Sequence, residues 1–144
     1  MSSSLVLAIC VVAAALGLAA VIGFSINRRS GVLRETPEPV ADTADLGLST
    51  TGPTVLHFSA VWCGPCAAVG RVVDQVCNDL PGVAHVEIDM DANPALAQRL
   101  SVLSLPTTFI FDAEGRQLYR TAGVPKASDL RAALVPLLAP GHHH

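Results

Sequence analysis

The stretch SAVWCGPCAAV at 59–69 sets Cys63 and Cys66 three positions apart, between an apolar run and a segment with helical spacing. A pair so spaced can ligate a metal, staple the chain, or cycle between dithiol and disulfide. Tetrahedral zinc needs four ligands and a lone CxxC supplies two; Cys77, His57 and His85 complete a set only by an accident of folding. As a staple, a bridge across two residues closes a loop too small to restrict the unfolded chain much. Redox exchange is the chemistry this spacing favours, with no metal.

The elements that must position the pair follow from periodicity. Residues 53–59, PTVLHFS, read as a strand, and residues 66–80 set Val69, Val72, Val73, Val76 and Leu80 at helical spacing. A thiol at such a strand-to-helix junction faces unpaired N–H groups and the positive end of the helix dipole, which favour its thiolate. Cys63 is therefore expected as nucleophile. Cys66, placed one turn inside the helix and less accessible, is expected to resolve the mixed disulfide. Pro65 fits an early helix position, and Gly64 leaves room for a substrate chain. Downstream, 83–89 reads as a strand, 93–100 as a helix capped by Asn93 with Pro94 first, and 107–111 as a strand. A turn at 112–115 leads into a strand at 117–121, paired with the previous one as a hairpin. The last helix starts near Ser128, with Leu130, Leu134, Leu137 and Leu138 on one face and Pro136 near its end. The order βαβαββα predicts an α/β domain, a mixed central sheet with helices on both faces.

WCGPC at 62–66, DANP at 91–94 and SLPT at 104–107 resemble the thioredoxin family, across residues 52–139. The resemblance implies the thioredoxin fold, with Trp62, Gly64 and Pro65 supporting the cysteine pair. It further implies a cis bond at Pro106 beside that pair, and a substrate groove formed by Leu105, Pro106, Thr107 and Gly123. Two departures stand out. The family's buried Asp six residues before the first cysteine is His57 here, and its Lys on the next strand is His85. A neutral His57 is suited to accept the proton of Cys66, as a proton relay, whereas a protonated one would stabilise thiolate; the alternative is a buried neutral histidine satisfied by a hydrogen bond. His85 reads as a core or edge residue, and Cys77 as a core thiol. The family also begins with an extra strand and helix, which ADLGLSTTGP at 44–53 is too short to supply, so a shortened front is expected. No insert like that of cytochrome-maturation thioredoxins lies between Cys63 and Pro106.

The chain has 144 residues, 51% hydrophobic, with net charge −3 and pI near 5.9. One domain plus an apolar segment fits that length, and no basic field supports nucleic-acid binding. Residues 5–26 carry no charge and, at ~1.5 Å per residue, span about 33 Å against a bilayer core of about 30 Å. They predict one N-terminal transmembrane helix within an anchor at 1–29; against the rival reading, a cleaved secretory signal, the leading MSSS lacks Lys and Arg and the run exceeds the ~7 to 15 residues of a signal core. Cys10 is a small residue inside it. Residues 30–51 read as a flexible tether, 52–139 as the domain, and 140–144 as a tail whose three histidines receive no function. Arg28, Arg29 and Arg34 follow the helix, predicting a cytoplasmic domain. The expected protein is a membrane-tethered reductase of protein disulfides needing no cofactor beyond the Cys63–Cys66 disulfide. Its partners would be disulfide clients and an electron donor, a thioredoxin reductase or another thiol protein. Two alternatives stand beside this: an outward-facing oxidoreductase for envelope proteins or cytochrome maturation, and a redox-inert partner-binding subunit.

Overall fold

The computed structural model describes residues 3–28, 31–38 and 42–139. The chain forms two units, Met1–Ser30 and Gly31–His144. The first contains one helix, α1 (Ser3–Arg28), whose only charge is Arg28 in its last turn. Its stretch Ser3–Ile26 is long and apolar enough to cross a membrane.

The second unit contains β1 (Arg34–Glu38), β2 (Thr54–Ser59), α2 (Cys66–Asp79), β3 (Ala84–Asp89), α3 (Pro94–Arg99), β4 (Thr107–Phe111), β5 (Gln117–Ala122) and α4 (Ala127–Leu138). One five-stranded sheet runs β1-β5-β4-β2-β3, with β2 and β3 parallel and every other pair antiparallel. This is the thioredoxin fold, a mixed sheet flanked by helices. The parallel pair needs a crossover, and α2 supplies it.

Side chains alternate across β2 and β4 and so divide the core in two. Leu56 and Phe58 of β2 meet Phe109 and Phe111 of β4 on one face, together with Ile88, Ala97, Leu100 and Val102. Val55 and Ile110 point to the other face, against Val69, Val73 and Val76 of α2 and Leu130, Ala133 and Leu134 of α4. The valines of α2 recur at three- and four-residue steps, which is why one stripe of that helix is buried. Phe58, Phe109 and Phe111 are fully buried, each worth about 1.5–3 kcal/mol in apolar area removed from water. The Arg120 guanidinium covers the Phe109 ring at 5.1 Å and donates to the Leu100 and Ser101 carbonyls.

The segment expected as a tether is structured where it is described. Arg34–Glu38 is a strand added to the free edge of β5, with Arg34 opposite Arg120 and Glu35 opposite Tyr119. Pro37 falls in the register irregularity between Glu35 and Glu38, where an edge strand tolerates a missing donor. Gly31 makes the entry possible: its φ is +83°, and a Cβ there would meet the Val124 carbonyl oxygen at 2.2 Å. Leu46 is 2% exposed within the Leu56–Phe58–Phe109 cluster, and Arg99 pairs with neighbouring Asp45. The packed unit thus reaches well before Gly52. A strand does precede β2, but no helix lies between them among the described residues. The remaining elements match their expected places to within a residue or two. The Asn93 cap differs: its side chain donates to the Asp89 carbonyl instead of capping α3, while Asp89 Oδ1 accepts from the Asp91 and Ala92 amides. The 140–144 tail lies outside the described residues.

Candidate active site

β2 ends at Ser59, and two consecutive turns carry the chain into α2. The Cys63 amide donates to the Ala60 carbonyl (3.0 Å) and the Cys66 amide to the Cys63 carbonyl (3.2 Å). Pro65 occupies the N-cap position with φ −67°, a value its ring already prefers. Cys66 is therefore the first residue of α2, not one turn inside it, and Cys63 lies in the preceding turn. The reason is the Gly64–Pro65 turn, which delays the helix. Cys63 and Cys66 form a disulfide with Cα atoms 5.5 Å apart. The two ends differ in access: Cys63 is half-buried and Cys66 only 5% exposed, its Sγ 3.9 Å from the Phe58 carbonyl oxygen.

Two large apolar side chains stand exposed beside the disulfide. Val61 is 95% and Trp62 65% exposed, and the indole Nε1 donates to Asp91 Oδ2 at 2.8 Å, orienting the ring. A groove of about 530 Å³ runs beside the bridge, lined by Ser59, Ala60, Cys63, Cys66, Glu87 and Asp89. A Cβ on Gly64 would meet nothing within 4 Å.

The antiparallel register brings the distant motif to the same end of the sheet. Phe58 lies opposite Thr107, so Pro106 falls beside the end of β2, from which the Cys63 loop springs. The Leu105–Pro106 bond is cis. Thr107 Oγ1 donates to the Ser104 carbonyl, and the Gly123 amide, at φ +88°, donates to the Pro106 carbonyl at 2.9 Å. Sequence-distant Leu105, Pro106, Thr107 and Gly123 are thus tied to one another at the disulfide end.

On the α2 face of the sheet lies a polar cluster. His57 is fully buried, and its Nδ1 is 3.0 Å from His85 Nε2, the rings 5.0 Å apart and stacked. His85 Nδ1 is 2.8 Å from Asp74 Oδ1 of α2. His57 Nε2 has no hydrogen-bond partner; Glu87 Oε1 is 3.6 Å away, too far for one. Burial pushes the His57 imidazole below its ordinary range; Glu87 and Asp74 oppose this, and His85 adds to it. Burial also pushes the Cys77 thiol up, with Asp74 adding to the effect. Among the described residues, no group of three or more His, Cys, Asp and Glu is arranged to hold a metal.

His85 is more than the core or edge residue expected, since it joins His57 to a surface carboxylate. Asp74 and Glu87 were missed altogether. Asp74 sits among the valines of α2 and reads as a solvated helix residue; only the β2–β3 register, with His57 opposite Glu87 and Val55 opposite His85, reveals the cluster.

Comparison with known proteins agrees with this geometry. The thioredoxin family model matches residues 43–135. A thioredoxin of Mycolicibacterium smegmatis is 38% identical over 88 residues, covering 58% of this chain and 78% of that protein. A thioredoxin-like protein of Synechocystis is 34% identical over 91 residues, covering 62% of this chain and 86% of that protein. Among solved structures, a mutant thioredoxin from Halobacterium salinarum superposes with a TM-score of 0.57 at 28% identity, covering 65% of this chain and 80% of that one. The matched span takes in the cysteine turn, the cis proline and the core on both faces of the sheet, and on these grounds the chain belongs to the thioredoxin family of thiol–disulfide oxidoreductases.

Proposed function

We propose that the protein is a membrane-tethered reductase of protein disulfides, with Cys63 attacking and Cys66 resolving. The observation that carries this reading is the unequal access of the two bridged sulfurs, one half-buried beside exposed Trp62 and Val61, the other almost enclosed. In the reduced protein the Cys63 thiolate attacks a client disulfide; one client sulfur leaves as thiolate and the other is held in a mixed disulfide. Cys66 then loses its proton and attacks Cys63 Sγ. The Cys63–Cys66 bond forms, the client bond breaks, and the second client sulfur departs with the electron pair and is protonated. Two electrons have passed to the client, whose two sulfurs each take a proton from solvent.

His57 is the group we assign to take the Cys66 proton. A buried, neutral imidazole with a bare Nε2 is a base without a competing donor. Leu105, Pro106, Thr107 and Gly123 form the client groove, in which Leu105, just before β4, offers its backbone groups to an extended peptide. Trp62, Gly64 and Pro65 shape the approach. The oxidised bridge is returned to dithiol by a thioredoxin reductase or another thiol donor. Residues 3–26 anchor the unit, and Arg28, Arg29 and Arg34 favour a cytoplasmic domain. Full-length protein in detergent, supplied with excess dithiol, is expected to accelerate reduction of a disulfide-bonded protein. Cys63→Ser should abolish the acceleration, and retention of it would overturn the reading.

A further inference from the structure

With both imidazoles neutral, the Asp74 carboxylate gives the His57–His85–Asp74 chain a direction. Asp74 Oδ1 lies 2.8 Å from His85 Nδ1, a true hydrogen bond, whereas Glu87 Oε1 lies 3.6 Å from His57 Nε2, outside bonding range. An ionised carboxylate only accepts, so His85 Nδ1 carries the proton facing Asp74. In neutral His85 the other nitrogen, Nε2, is then bare and must accept from His57 Nδ1, 3.0 Å away. That leaves neutral His57 bare at Nε2, a buried atom with no hydrogen-bond partner. The outer carboxylate thus selects both tautomers, and the free lone pair emerges at the buried end. Cys66 Sγ lies against the backbone carbonyl of Phe58, next in sequence to His57, and Glu87 lines the groove beside Cys66.

We infer that His85 and Asp74 carry outward the proton that His57 takes from Cys66, making the three side chains one relay between the resolving sulfur and the surface. The proton balance is closed. Cys66 gives S–H to His57 Nε2, His57 Nδ1–H passes to His85 Nε2, and the positive charge appears on His85. There it faces the Asp74 carboxylate, whose side chain is 65% exposed. His85 Nδ1–H leaves by way of Asp74 to solvent, and tautomeric return of the pair resets the chain. His57 itself is neutral before and after the transfer, and burial there opposes a lasting charge. Charged or titratable groups facing the pair are Glu87 from β3 and Asp74 from α2, with the Cys77 thiol of α2 also in the field of Asp74; β4 presents the neutral Thr108 opposite His57, its buried Oγ1 likewise without a hydrogen-bond partner. His85 and Asp74 are positioning residues, acting only through His57.

This relay rests on the assignment of Cys63 as attacker and Cys66 as resolver, and the test separates the two claims. Reduced full-length protein in detergent is mixed in stopped flow with dithiobis(nitrobenzoate), an aromatic disulfide that releases a coloured thiolate at each step. The first release reports Cys63 attack; the second, independent of reagent concentration, reports resolution by Cys66. The coloured thiolate leaves without needing a proton, so the pH profile of the second step follows deprotonation of Cys66. His85→Phe, which keeps a stacked ring, is expected to slow the second release relative to the first by about tenfold at pH 7, with the gap closing as hydroxide takes over near pH 9. Asp74→Asn retains a hydrogen-bond acceptor but loses the charge opposite His85, so the second-step profile should move to higher pH. Being a surface change, it serves if His85→Phe does not fold. A second-to-first ratio and a second-step profile that match the wild type in the folded variants would overturn the relay. Both steps slowed equally would overturn it too, as a structural effect. The free thiols Cys10 and Cys77 react in proportion to reagent concentration; a concentration-independent second release surviving Cys66→Ser would sink the cysteine assignment, and the relay with it.

Discussion

Leu46 offers the sharpest test of where the folded unit begins. A tether residue would be solvated and its truncation silent, whereas here Leu46 is 2% exposed and packs among Leu56, Phe58, Phe109 and Phe111. Leu46→Ala removes apolar volume worth about 2–2.5 kcal/mol at ~0.8 kcal/mol per methylene, and the cavity adds to that. The surrounding phenylalanines belong to paired strands and cannot collapse freely, so a total of about 3 kcal/mol is expected. With a urea dependence of about 2 kcal/mol per molar, the unfolding midpoint should fall by roughly 1.5 M. The assay is urea unfolding of the full chain in detergent, followed by the fluorescence of Trp62, the single tryptophan. Val32→Ala, at an exposed side chain, is the control and should stay within about 0.5 kcal/mol of wild type. A loss for Leu46→Ala no larger than the control's would refute the packing of this segment.

Other expectations follow from single contacts. Because burial lowers the His57 pKa, the unfolded chain binds a proton that the folded imidazole refuses below its unfolded value of about 6.5; stability should therefore fall as pH drops below that point. His57→Leu should lose less Tm than wild type between pH 7.5 and 5.5, and an identical decline would contradict the buried neutral state. Gly31→Ala, placing a Cβ against the Val124 carbonyl in a left-handed backbone, should cost about 1–3 kcal/mol in the same urea assay. For orientation, Cys63 in intact cells should label with a membrane-impermeant thiol reagent only after permeabilisation; labelling without it would favour the outward-facing alternative.

The strands that carry the site were readable because their cause is local. TVLHFS and TTFIF are β-branched and aromatic runs bounded by turn residues, and both are buried on two faces. The cysteine turn was readable because glycine and proline constrain backbone wherever they stand, whereas the cis bond at Pro106 and its place beside the turn came from the resemblance of SLPT to the thioredoxin family. Strand β1 was not: RETPE is polar, holds a proline and has no alternation, and it is a strand only because the β5 edge offers partners. Leu46 was hidden likewise, a lone apolar residue in a polar stretch whose burial depends on a core assembled from distant segments. The His57–His85–Asp74 chain needed the parallel register of β2 and β3 and the packing of α2, none of which leaves a local mark.

The division of labour between the two cysteines is tested most directly by trapping. Reduced Cys66→Ser protein is incubated with a disulfide-bonded client, and the product is digested and mapped by mass spectrometry. The account predicts a stable mixed disulfide with the client joined to Cys63. Absence of any adduct, together with unimpaired client reduction by this variant, would contradict it.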